Sequence, residues 1–195
     1  MTEQQSYTYL GLAGETAPDR PVDSGLFRLA DGSREWEALR RGLPEKPAVR
    51  ALAVHPGDPA IIYAGTQFGP YRSADRGEHW EDMEIGRFSP LTYGRDIRTS
   101  PHDPKVLYAA LSPAARSTDG SVYRSDDVGK SWKRFDHGVK ADATMMGVTV
   151  HPRDPNQVYA ISRVGQMFGT TDGGKSWTES KLPEGVRDCY AIAAG

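Results

Sequence analysis

Ser125-Asp126-Asp127-Val128-Gly129-Lys130-Ser131-Trp132 is one of several copies of a single phrase in this chain. Ser73-Ala74-Asp75-Arg76-Gly77-Glu78-His79-Trp80 and Thr170-Thr171-Asp172-Gly173-Gly174-Lys175-Ser176-Trp177 repeat it. Leu29-Ala30-Asp31-Gly32-Ser33-Arg34-Glu35-Trp36 is a worn copy. All four tryptophans close the phrase, at the same distance from its aspartate each time. A phrase returning at a period of about 45–50 residues marks a repeat architecture.

Each repeat divides into short strands separated by turn residues. In the second, residues 49–54, 61–65, 69–73 and 79–83 read as strands, with His55-Pro56-Gly57-Asp58-Pro59 as the first turn. The third gives strands at 95–99, 106–110, 121–125 and 131–135, with Ser100-Pro101-His102-Asp103-Pro104 in the turn position. The fourth gives 146–150, 158–161, 166–170 and 176–179, with His151-Pro152-Arg153-Asp154-Pro155. Four short antiparallel strands per unit is the layout of a β-propeller blade.

The first repeat begins with Tyr7-Thr8-Tyr9-Leu10-Gly11, which matches the second strand of the other units, so its first strand is missing. Tyr190-Ala191-Ile192-Ala193-Ala194 matches Arg50-Ala51-Leu52-Ala53-Val54. The expectation is an all-β fold: a single four-bladed propeller domain over residues 1–195, the two terminal segments closing the first blade and removing exposed sheet edges. Its blades run over 7–40 plus 189–195, 48–84, 94–136 and 145–181. A monomer follows from that closure. The alternative is a half-ring that pairs with a second chain, as a dimer, into eight blades. Ala51, Ala53, Gly147, Ala191 and Ala193 suit strands crowded at an axis. Asp96 and Arg98 do not, and are either bonded to each other or turned toward a polar channel.

Composition narrows the function classes. The 21 glycines and 14 prolines fit a turn-rich β protein. A formal net charge of -2 gives no electrostatic case for nucleic acid or membrane binding. Cys189 is the only cysteine, so no intrachain disulfide forms. Residues 1–6 lack the apolar core of a signal peptide, and a cytoplasmic location is expected. No phosphate loop, dinucleotide fingerprint or zinc spacing occurs, so neither a cofactor nor a metal is expected.

Ser/Thr-x-Asp-x-Gly-x-x-Trp resembles the Asp-box of BNR-repeat proteins, over nearly the whole chain. The resemblance implies that Asp31, Asp75, Asp127 and Asp172, Gly77, Gly129 and Gly174, and Trp36, Trp80, Trp132 and Trp177 are structural hairpin residues, on the face opposite the functional one. Such repeats often carry sialidase or glycosyl hydrolase labels. Family sialidases have six blades and an Arg-Ile-Pro signature, which this chain lacks. The resemblance therefore implies the fold and not glycoside hydrolysis. BNR-like photosystem assembly factors add a third possibility, a ring face that grips a protein partner.

Function then belongs to the loops of the opposite face, since loops on a rigid scaffold carry most sites. These are residues 42–49, 84–96, 137–146 and 182–189, and 14–25, 66–69, 112–120 and 162–165. Thr92-Tyr93-Gly94-Arg95-Asp96-Ile97-Arg98 is the densest polar cluster where a loop enters a first strand. Aligning the blades puts Arg50, Arg95, Met146 and Tyr190 at one level around the axis. Arg50, Tyr93, Arg95, Arg98, Arg187 and Tyr190 are the candidate ligand-binding residues, because converging guanidinium forks suit a carboxylate or phosphate. The structural reading of Arg95 and Asp96 is an ion-pair network between blades. Asp96 and His137 are the candidate acid/base residues of the alternative reading, a small-molecule hydrolase or lyase. Cys189 with His137 is the only conceivable thiol nucleophile pair, against a plain core cysteine. The expected role is binding of a small polar or anionic ligand, or of a protein surface.

Overall fold

The structure, a computed structural model, describes residues 5–14 and 25–195, and is built from four antiparallel sheets. The first holds β1 (Tyr7–Gly11), β2 (Leu26–Ala30) and β3 (Glu37–Ala38). The second holds β4 (Val49–Val54), β5 (Ile62–Thr66), β6 (Gly69–Ser73) and β7 (Glu81–Asp82). The third holds β8 (Tyr93–Thr99), β9 (Leu107–Ser112), β10 (Ser121–Ser125) and β11 (Lys133–Arg134). The fourth holds β12 (Met145–Val150), β13 (Val158–Ser162), β14 (Gln166–Thr170) and β15 (Thr178–Lys181). In each, the strands pair in chain order. β1 stands against β4, β4 against β8, and β8 against β12, so the sheets follow one another in series.

Local chemistry sets the strand limits. In each Asp-Pro turn the aspartate Oδ1 accepts the amide two residues on: Ala60 N from Asp58 at 2.9 Å, Lys105 N from Asp103 at 2.9 Å, Asn156 N from Asp154 at 3.0 Å. The last strand of the second and third sheets is only two residues long, shorter than the sequence pattern predicts. The preceding tryptophans, Trp80 and Trp132, are buried and lie outside the ladder, which begins one residue later.

The repeated phrase is a bonded turn. Ser73, Ser125 and Thr170 hydroxyls each donate to the aspartate two residues on, at 2.8 Å. The same hydroxyls accept the amides of Gly77, Gly129 and Gly174 at 2.8, 2.8 and 2.9 Å. The aspartates accept the amides of His79, Ser131 and Ser176 at 2.9, 2.9 and 3.0 Å. Gly77, Gly129 and Gly174 lie at φ near +90°, a conformation open to glycine. The worn copy has Leu29 in the hydroxyl position and Ser33 in the glycine position.

Hydrophobic clusters fill the spaces between sheets, and each phrase tryptophan reaches back toward the preceding sheet. Trp80 joins Leu26, Leu39, Val49 and Ile62 between the first and second. Trp132 joins Tyr63, Met83, Ile97 and Leu107 between the second and third. Trp177 meets Phe135 edge-on at 5.5 Å, within the cluster joining the third and fourth. Trp36 joins none of these clusters among the described residues and is 45% exposed.

The expected closure is not made. Residues 190–194 enter no ladder, and β1 is hydrogen-bonded only to β2 among the described residues. The segment instead follows the fourth sheet: Ile192 Cγ2 lies 3.3 Å from where a Cβ on Gly147 of β12 would sit. The first blade expected at 7–40 plus 189–195 is thus a three-stranded sheet at one end, with its matching strand at the other. Of the loop expected at 14–25, residues 15–24 lie outside the described residues.

Candidate functional site

Three first strands carry the same irregularity. The register shifts between Val49 and Ala51 in β4, Gly94 and Asp96 in β8, and Met145 and Gly147 in β12. The extra residues are Arg50, Arg95 and Met146, the level that the sequence alignment places around the axis. A bulge re-aims the side chain it carries.

Two arginine–tyrosine stacks result. The Arg50 guanidinium lies 5.4 Å from the Tyr93 ring centre, and that of Arg95 lies 5.6 Å from Tyr190. Arg163 approaches Tyr190 from elsewhere, at 5.9 Å. Arg95 Nε points to Met146 Sδ at 3.4 Å, a weak acceptor. Arg50 Nε and Tyr93 Oη are buried without a hydrogen-bond partner. Neither Arg50 nor Arg95 has a carboxylate partner among the described residues. Burial, and then the neighbouring Arg50 charge, lower the Arg95 pKa. Burial raises that of Tyr93, against the pull of Arg50 and Arg95.

Asp96 is placed differently. Its carboxylate accepts the Val148 amide at 3.1 Å, the Ile97 amide at 3.0 Å and Arg98 Nε at 3.1 Å. It ties β8 to β12 from a buried position. Burial raises its pKa, opposed by Arg98 and the two amides. Arg98 and Asp96 are bonded to each other, one of the two arrangements expected, while the Arg98 side chain stays half exposed.

Arg187 is separate from the Arg50–Arg95 group. It lines a shallow depression of about 390 Å³ with Arg116, Ser117, Asp142, Arg163 and Asp188. Arg163 pairs with Asp188 at 2.6 Å, while Arg116 and Arg187 form no ion pair among the described residues. Arg163 lines this depression and also approaches the Tyr190 ring on which Arg95 stacks. Neither the bulges nor Arg163 is singled out by the sequence, although Arg163 lies in the loop 162–165 that it names.

His137 is exposed on a turn, with no hydrogen bond to Asp96 or Cys189 among the described residues. Its neighbour Asp136 is buried and accepts from Ser121 Oγ, Val122 N and Arg134 Nε. Cys189 is half-buried, its amide donating to Arg163 O at 3.1 Å. His55 and His151 each accept an amide within their own turn, from Gly57 and Arg153 at 3.2 Å. No cluster of three or more potential metal ligands occurs among the described residues.

Comparison with known proteins supports a β-propeller. Residues 120–191 match the family model Sortilin-Vps10, described as "Sortilin, neurotensin receptor 3". A vacuolar protein sorting/targeting protein 10 of Mycosarcoma maydis is 38% identical over 35% of this chain and 4% of its own length. A probable oligoxyloglucan-reducing end-specific xyloglucanase of Neosartorya fischeri is 25% identical over 88% of this chain and 22% of its own. The crystal structure of an ancestral GH74 enzyme superposes with a TM-score of 0.66 at 21% identity, covering 91% of this chain and 24% of that one. The chain spans less than a quarter of the length of each of these relatives.

Proposed function

We propose that this protein is a binding propeller, and that Arg50 and Arg95 receive a carboxylate or phosphate group carried by a small ligand or a protein surface. One observation carries the reading: two neighbouring, half-buried guanidinium groups form no ion pair among the described residues, and Arg50 Nε and Tyr93 Oη are unpaired. Buried polar groups are paired in the great majority of cases, and unpaired donors converging on one place match an anion's acceptors. Arg163, across the Tyr190 ring, is already paired with Asp188, which sets it apart from Arg50 and Arg95.

The hydrolase reading has less support at this place. Glycoside hydrolysis generally needs two carboxyl groups about 5–9.5 Å apart on either side of the bond. Asp96 is the carboxylate of this group, and three donors already hold it. The names of the xyloglucanase relatives therefore lend this chain a scaffold rather than a reaction.

Titration of the full chain with inorganic phosphate and with citrate, followed by calorimetry and NMR, tests the proposal. Saturable binding is expected, weakened at least tenfold by Arg95→Gln or Arg50→Gln, with circular dichroism unchanged. Equal binding by the parent and both variants would sink it.

A further inference from the structure

The two ends of this arc of sheets are complementary halves of one blade. At one end, β1 has an edge with no strand partner among the described residues and carries the exposed Leu10. At the other, residues 190–194 carry a first-strand pattern and lie beside β12 through Ile192 and Gly147, yet pair with no strand among the described residues. We propose that two copies of this chain close a common ring, residues 190–194 of each pairing antiparallel with β1 of the other.

Three observations favour a second copy over closure within one chain. First, residues 190–194 lie beside the fourth sheet, and no ladder or backbone hydrogen bond among the described residues joins them to the three-stranded sheet. Second, parts of two first strands stay open to solvent: β4 is half-buried from Arg50 to Ala53 with Val54 exposed, and Arg98 of β8 is half exposed, while β12 is buried but for Thr149. A tight ring would cover them; a wider one leaves a channel. Third, Trp80, Trp132 and Trp177 each cover a preceding sheet, whereas Trp36 is exposed and belongs to no hydrophobic cluster among the described residues. Exchange of one strand in each direction is a self-complementary contact about a two-fold axis, and main-chain bonds of an added strand provide the affinity.

The repeats also give the register. Ala51, Leu52, Ala53 and Val54 pair with Gly65, Ala64, Tyr63 and Ile62. Tyr63 pairs with Arg72 as Tyr9 pairs with Arg28. Ala191, Ile192, Ala193 and Ala194 should therefore face Gly11, Leu10, Tyr9 and Thr8 of the other copy. A chain carrying Leu10→Cys and Ile192→Cys in a Cys189→Ser background tests this, together with light scattering of the unaltered protein. The proposal expects a particle of twice the 21.4 kDa chain mass, and a disulfide-linked dimer on a non-reducing gel. Ile192→Pro, which removes a ladder donor, should shift the dimer to monomer at least tenfold. A monomeric particle overturns the proposal, whether the crosslink forms within one chain or not at all. A dimer that fails to crosslink, or a larger assembly, overturns the strand exchange.

Discussion

The turns of the repeated phrase and the level of Arg50 and Arg95 are both polar and both repeat around the fold, yet their bonding differs. In the turns, each aspartate of the three well-kept copies is matched by a hydroxyl, and its backbone neighbours are paired. At the other level, cations lie close together with donors left over. Saturated polar groups hold a scaffold; unsaturated ones store a preference for something else. The worn first copy sharpens the contrast from within, keeping the aspartate and tryptophan but not the bonds.

The largest test uses the tryptophans. Trp132 is 3% exposed and donates from Nε1 to Gly129 O at 3.1 Å, so Trp132→Ala should cost about 3–5 kcal/mol of unfolding free energy. Trp36→Ala should change it by less than about 0.5 kcal/mol, measured on dilute protein where no neighbouring copy covers the residue. Equal losses in chemical denaturation would show that the copies are equivalent and that the comparison fails.

Aspartate substitutions come next. Asp127 accepts from Ser125 Oγ, Ser131 N and Ser131 Oγ. Asp127→Ala should cost about 1–3 kcal/mol, and Asp31→Ala much less. The same bonds set an acid dependence. At Asp75 and Asp127 burial raises the pKa, but the hydrogen bonds from His79 and Ser73, and from Ser131 and Ser125, outweigh it and leave the value lowered. At Asp172 the Ser176 hydroxyl and amide lower it strongly. A folded pKa below the unfolded value, about 3.9, gives stability that is present above that value and lost as pH falls through the folded pKa. Asp96 and Asp136, raised chiefly by burial, act with the opposite sign: their contribution is full below the unfolded value and fades as pH rises through the folded one. Unfolding curves from pH 6 to pH 2 should therefore fall most steeply below about pH 4, and Asp127→Ala should flatten that fall. An unchanged slope in the variant would remove the turns from the acid response.

The turns were legible because their chemistry is local: hydroxyl, carboxylate, glycine and tryptophan stand within eight residues. Leu29 and Ser33 even mark the copy that lacks the bonds. The site was legible only in part. Alignment set Arg50, Arg95 and Tyr190 at one level, but the bulges that turn Arg50 and Arg95 leave no shared residue type, since Met146 occupies the third. Arg163 reaches Tyr190 through the fold rather than through spacing. Closure is not legible for a related reason. A strand pattern names the ladder position that residues 190–194 fit, and says nothing about which edge, near or far, completes it.

A small effect of opposite sign is the most diagnostic. A scaffold residue loses stability when truncated; a residue held for a ligand need not. Arg95 is partly withdrawn from water beside another cation, with only a sulfur as acceptor. Arg95→Gln removes that repulsion and keeps part of the packing, so the unliganded protein should gain rather than lose, by under about 1 kcal/mol. Added phosphate should then raise the melting temperature of the parent chain, by mass action on its folded state, and leave the variant unmoved. If Arg95→Gln destabilised the protein as Asp127→Ala does, Arg95 would belong with the scaffold, and the division between the two levels would dissolve.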